Sequence, residues 1–131
     1  ATTASGARRE ARKIIEALDG RTLDYPIAMD MEATSVLNAT SKSDRTRIVR
    51  AFKDEIGSAG YRFVLYANLN WLNNYLDMNA LSDCEVWIAR YRDFNRGHGY
   101  IGGGVTMWQY TSTGHVNGIE GNVDMNFWYG F

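Results

Sequence analysis

Two stretches repeat their apolar residues at helical spacing, and around them lie five short runs rich in β-branched and aromatic residues, at 25–30, 61–68, 85–91, 105–112 and 122–128. In residues 5–19, Ala7, Ala11, Ile14, Ile15 and Leu18 fall on one helical face, with Ser5 as a candidate cap and Gly20 as a stop. Residues 44–59 repeat the pattern through Ile48, Phe52, Ile56 and Ala59, with Ser43 or Asp44 able to cap and Gly60 to terminate. A further short helix is expected over residues 70–76. Strands alternating with helices constrain the chain to an α/β fold with a mostly parallel sheet. Only the last two strands are joined too closely for an intervening helix. Residues 95–104 hold five glycines but lack the lysine and hydroxyl of a phosphate loop, so they read as structural loop.

Composition narrows the function. With 131 residues, 45% of them hydrophobic and 22% charged, the chain has enough apolar surface for one globular core. A net charge of -1 supplies no long-range attraction to polyanions, so neither nucleic acid nor a membrane surface is expected as a partner. Cys84 is the single cysteine and reads as a small buried hydrophobe. His98 and His115 have no second ligand at metal-binding spacing, so no metal and no other cofactor is expected. Residues 1–10 are neither apolar nor followed by a cleavage pattern, and no secretion signal is expected in them.

The run Y-P-I-A-M-D-M-E places two carboxylates, Asp30 and Glu32, two residues apart in an otherwise apolar strand. Side chains alternate across a strand, so both acids share one face while Ile27, Met29 and Met31 share the other. They come at the carboxyl end of the strand, where α/β proteins build their sites. Alone the D-x-E pattern is weak, and a solvated strand end or an ion pair would explain it. Its company raises it. Asp124 shares a strand face with Asn122 and Asn126, and Tyr66, Asn68, Trp87, Tyr91 and Gln109 also stand at strand ends. Acids, amides and aromatics together suit a cleft for sugar rings, whose apolar faces stack on aromatic side chains.

The segments L-D-Y-P-I-A-M-D-M-E, G-Y-R-F-V-L-Y-A-N, V-W-I-A-R-Y, M-W-Q-Y-T-S-T-G and V-N-G-I-E-G-N-V-D-M-N, in this order, resemble the glycoside hydrolase family 25 muramidases, the Chalaropsis-type lysozymes. The resemblance implies an irregular TIM-like (β/α) barrel and hydrolysis of the β-1,4 bond between N-acetylmuramic acid and N-acetylglucosamine in bacterial peptidoglycan. It implies Glu32 as general acid/base, Asp30 as the group that stabilises the transition state or orients the acetamido group, and Asp124 as their support. Tyr66, Asn68, Trp87, Tyr91, Trp108 and Gln109 would line the groove. An acetal needs a proton on its leaving oxygen and stabilisation of positive charge on the sugar, which two acids in different protonation states can supply. Strand rise separates their Cα atoms by about 6.6 Å, and side-chain rotation then spans both the retaining and the inverting ranges. Retention, with the acetamido group as internal nucleophile, comes from the resemblance alone.

Members of the family begin with a strand bearing an Asp-Val-Ser-type motif, and two more strands follow before the first helix found here. Residues 1–131 are accordingly expected to form a partial catalytic domain lacking about the first three strands, whose open edge takes a complementing N-terminal segment or a second copy. An enzyme of this kind acts on the bacterial cell wall, secreted or delivered by a phage as an endolysin. Two other readings stand beside it: a non-catalytic cell-wall sugar-binding remnant, and a different glycosidase using D-x-E with substrate assistance, as chitinases do.

Overall fold

The computed structural model describes residues 1–129, Phe94 by its backbone only. The first helix, α1 (Ala4–Leu18), is capped by Thr3 rather than Ser5: the Thr3 hydroxyl accepts from the Gly6 N–H at 3.0 Å. Ala7 and Ala11, both fully buried, let α1 pack closely on α3 (Lys42–Ser58). The cap of α3 is Ser41, upstream of the expected Ser43 or Asp44. Asp44 instead stands three residues into a capping box, its carboxylate accepting from the Ser41 N–H and its own N–H bonding the Ser41 hydroxyl, each at 3.1 Å. A further helix, α2 (Thr34–Ala39), has only six residues, too few to display a helical period in the sequence.

Five strands form one sheet in the order of the chain: β1 (Ile27–Asp30), β2 (Phe63–Asn68), β3 (Glu85–Ala89), β4 (Val105–Gly114) and β5 (Val123–Trp128). Strands β1 to β4 are parallel and β5 returns antiparallel, as the short last connection requires. The helices α2 and α3 link β1 to β2, and a π-helical turn at Trp71–Tyr75 occupies the expected short-helix position between β2 and β3. Between β3 and β4 the chain makes only a 3-10 turn, Phe94–Arg96, and a glycine-rich loop. That loop ends at Gly104, with φ of 83°, where any Cβ would lie 2.7 Å from the Cys84 carbonyl oxygen. Glycine is needed there to let β4 start beside β3.

The sheet packs Ile27, Met29, Leu65, Val86, Ile88 and Trp108 with Ile48, Val49, Phe52 and Ile56 of α3 in one buried core. Cys84 is buried and unpaired, its thiol pushed up to about 11 chiefly by burial. The sheet is strongly curled: laid flat, its edge strands would stand about 19 Å apart, yet Tyr25, just ahead of β1, meets Trp128 of β5 edge-on with ring centroids 5.6 Å apart. The result is a mixed α/β fold with a curled five-stranded sheet. Among the described residues no helix is long and apolar enough to cross a membrane.

Arg45 ties the helical layer to the loops above the sheet. It is 6% exposed and donates to the carbonyls of Thr40 at 2.7 Å, Tyr75 at 2.8 Å and Leu37 at 3.3 Å, with its guanidinium over the rings of Trp71 and Tyr75. Replacing it would strand several carbonyls at once. We expect Arg45→Met to lower the unfolding free energy by about 3 kcal/mol, the scale of charged hydrogen bonds lost from a buried site. Urea denaturation measures it, and a loss below about 1 kcal/mol would mean that water replaces the guanidinium.

Candidate active site

The alternation expected of β1 is present: Ile27, Met29 and Met31 are buried, and Ala28, Asp30 and Glu32 are exposed. Pairing continues one residue past the strand, because the Met31 N–H donates to the Tyr66 carbonyl at 2.9 Å. Glu32 therefore leaves the sheet from a fixed point, beside Asp30. Burial raises the Glu32 carboxyl above its ordinary range, and the charge of Asp30 and a hydrogen bond to it raise it further. Asp30 is also raised by burial, but the hydrogen bond with Glu32 acts in the opposite sense and favours its ionised form. Both carboxyls are thus raised, and the hydrogen bond between them favours the proton on Glu32 over Asp30. A proton donor beside a carboxylate is the arrangement that acetal cleavage uses.

Beside the acids, the neighbouring strands build a hydrogen-bonded wall. Asp30 lies in register with Tyr66, and Tyr66 with Trp87. The Tyr66 and Trp87 rings meet edge-on at 4.7 Å. The Tyr66 hydroxyl donates to Gln109 Oε1 at 2.5 Å and the Tyr91 hydroxyl to the same oxygen at 2.9 Å, while Gln109 is 4% exposed. Burial, followed by Tyr91 and the two acids, raises the Tyr66 hydroxyl well above its ordinary value, so it stays a donor. Trp87 Nε1 donates to Asn126 Oδ1 at 2.8 Å, which ties β3 to β5 across the interior of the curl. Asn68 Oδ1 accepts from the Trp71 N–H at 2.9 Å and so starts the π-helical turn. A cleft of about 560 Å³ opens over this end of the sheet, lined by Glu32, Asn68, Asn70, Asn73, Asn74, Arg90 and Tyr91 among others.

The sequence-derived residues divide accordingly. Asp30, Glu32, Tyr66, Asn68, Trp87, Tyr91 and Gln109 lie along neighbouring positions of β1 to β4, level with or beyond the carboxyl end of β1. Trp108 does not line the groove: it is 1% exposed on the opposite face of β4, its Nε1 donating to the Arg90 carbonyl at 2.8 Å. Strand parity separates it from its neighbour Gln109, and the sequence motif that holds both residues conceals this. Asp124 is exposed on β5, two residues from Asn126, and contributes to the shift of neither Asp30 nor Glu32. Asn70, Asn73, Asn74 and Arg90 line the cleft unforeseen. The density of asparagines in N-L-N-W-L-N-N was the available signal. His98 serves packing, with its ring against Trp108 and Nδ1 accepting from the Tyr100 N–H at 3.1 Å.

The sequence profile of glycosyl hydrolases family 25 matches residues 1–119, nearly the whole chain. The chain belongs to this family. Among similar proteins, the D-alanyl-L-alanine endopeptidase of Streptococcus phage B30 is 29% identical over 89% of this chain and 28% of its own length. An autolytic lysozyme of Clostridium acetobutylicum is 29% identical over 89% of this chain and 34% of its own. The chain thus spans about a third of the curated relatives it matches. The crystal structure of the Clostridium perfringens spore cortex lytic enzyme superposes over 98% of this chain and 46% of its own, with a TM-score of 0.78 and 25% identity.

Coupling of the two acids is measurable without turnover. Asp30→Asn removes the neighbouring negative charge, so the Glu32 pKa should fall towards its ordinary value. Carboxyl-carbon NMR titration reads this directly, and an unmoved Glu32 midpoint would show that the carboxyls are independent.

Proposed function

We propose that this family 25 chain hydrolyses the β-1,4 bond between N-acetylmuramic acid and N-acetylglucosamine in bacterial peptidoglycan. The observation that carries the reading is the adjacent Asp30–Glu32 pair, with Glu32 at the wall of a cleft and both carboxyls raised above their ordinary range. Glu32 donates its proton to the glycosidic oxygen as the bond to C1 breaks. Asp30, ionised, orients the acetamido group and offsets the charge that develops as the acetamido oxygen attacks C1. Water then attacks C1 of that cyclic intermediate and returns a proton to Glu32, with net retention. Tyr66, Trp87, Tyr91 and Asn68 hold the sugar, Gln109 fixes the two tyrosines, and Asp124 contributes from β5. The lysozyme and the spore cortex lytic enzyme among the relatives support a wall substrate, and such an enzyme would reach the wall by secretion or phage delivery.

In the same reading residues 1–131 are part of a catalytic domain. Among the described residues no strand pairs with the outer edge of β1, and an unpaired parallel edge readily takes another strand. We assign that edge to further strands of the catalytic domain, with self-association as what occurs when they are not supplied. Sedimentation checks this: self-association reversed by a peptide covering the absent strands is expected, and a stable monomer indifferent to that peptide contradicts it.

A second reading, a non-catalytic sugar-binding domain, is favoured by one feature, the solvent exposure of both carboxyls and of Asp124. Glu32→Gln separates the two. It should lower turbidity clearing of cell walls by 100-fold or more, the usual cost of removing a proton donor, while wall binding survives. Clearing within tenfold of the parent enzyme would take Glu32 out of the role, and binding without any clearing by the parent would favour the second reading.

A further inference from the structure

Arg90, Arg92 and Arg96 cluster where the chain leaves β3, and no ion pair among the described residues engages them. Those pairs instead take Arg12, Arg47, Arg50, Lys53 and Arg62. The position of the three is imposed by the backbone. The Arg90 N–H donates to the Gln109 carbonyl at 3.0 Å, the Arg90 carbonyl accepts from Trp108 Nε1, and the Arg92 N–H donates to the Tyr110 carbonyl at 3.2 Å. The side chains of Arg90 and Arg92 converge over Gly99: a Cβ there would lie 3.2 Å from Arg92 Nη1 and 3.4 Å from Arg90 Nη1. Gly99 has a φ of 79°, a conformation that side-chain-bearing residues rarely adopt, and both guanidinium groups lie close against it. Arg92 Nε is buried without a hydrogen-bond partner. The like charges of Arg96 and Arg90 depress the Arg92 guanidinium, after burial. The acid closest in sequence, Asp93, turns an oxygen to the Asn95 N–H at 3.1 Å.

Converging cations with no counter-charge are stabilised by an external anion, and guanidinium groups match carboxylates in a bidentate manner. Arg90 lines the same cleft as Glu32, whereas Arg92 and Arg96 are not among its lining residues. We propose that the three arginines form a site for the carboxylates of the peptide stem carried by the glycan, beside the sugar-binding cleft. The inference rests on the function proposed above. Peptidoglycan stems leave the muramic acid ring through its lactyl group and carry free carboxylates, so a sugar bound against Glu32 directs its stem past Arg90 towards Arg92 and Arg96. Stripped of its stems, the glycan keeps only the lactyl carboxylate held at each muramic acid ring. The site would make the enzyme prefer stem-bearing strands to bare ones.

The test uses the chain carrying Glu32→Gln, so that binding is read without turnover, and calorimetry with soluble glycan tetramers. Three ligands are compared: tetramers with their stems, tetramers stripped of stems, and tetramers whose stem carboxylates are converted to amides. Stem-bearing tetramers should bind about tenfold more tightly than the other two. Arg92→Gln and Arg96→Gln should each reduce that preference severalfold and leave bare-glycan affinity unchanged. Arg96 is exposed, so its variant remains informative if loss of the partly buried Arg92 disturbs folding. Equal binding of stem-bearing and bare tetramers, or a preference that survives both substitutions, overturns the site while leaving the cleft reading intact. A response of the variants to polyglycerol phosphate alone assigns the cluster to phosphate and likewise overturns it. Failure to bind any tetramer overturns the cleft reading and this inference together.

Discussion

Two carboxyl groups on one face of a strand end cannot both ionise freely, and the rest of the structure keeps them in that position. Ile27, Met29 and Met31 pack into the core on the opposite face, so a slip of one residue in β1 would bury the acids and expose the apolar side chains. Parallel pairing with β2 sets their height, and the bond from Met31 to the Tyr66 carbonyl carries the pairing just far enough to release Glu32 at the rim. The same apolar alternation that stabilises the sheet therefore forces the acids together. Their mutual influence raises the Glu32 carboxyl, while the hydrogen bond between them acts in the opposite sense on Asp30.

The wall beside them is held by one amide. Gln109 receives hydrogen bonds from Tyr66 of β2 and from Tyr91 just beyond β3, so three segments are joined at a single buried oxygen. Tryptophan and asparagine make the next bridge, from β3 to β5. These bonds fix aromatic faces in place before a ligand arrives, which lowers the entropic cost of binding one. At the other end of the sheet the Tyr25–Trp128 contact draws the edge strands towards each other, and the curl leaves the carboxyl ends facing a common opening.

Much of this was legible in the residues. Strand positions, the two long helices and the face shared by Asp30 and Glu32 follow from local periodicity, which is a property of neighbours in sequence, and the short connection before β5 sets it apart from the other strands. Helix caps were misplaced by two residues or so, because Thr3, Ser5, Ser41 and Ser43 are all chemically able to cap and only the chain's path decides which does. The six-residue α2 is too short to carry a period. Trp108 was misassigned to the groove because a motif names residues without stating which face they take, and the alternation that buries it is the one that aims Gln109 inward. The arginine cluster was hidden for another reason: Arg90 and Arg92 are placed by backbone bonds to β4, which leave no pattern in composition.

The central claim is chemical: the carboxyl pair acts on an acetal of the wall polymer, although one relative of the chain bears the name of an endopeptidase. The most direct measurement is the identity of the ends created when purified peptidoglycan is digested by the protein. Reduction with borohydride followed by mass spectrometry should find new reducing ends at N-acetylmuramic acid, with no increase in free amino groups. New reducing ends at N-acetylglucosamine, or new amino groups without new reducing sugars, would contradict the account.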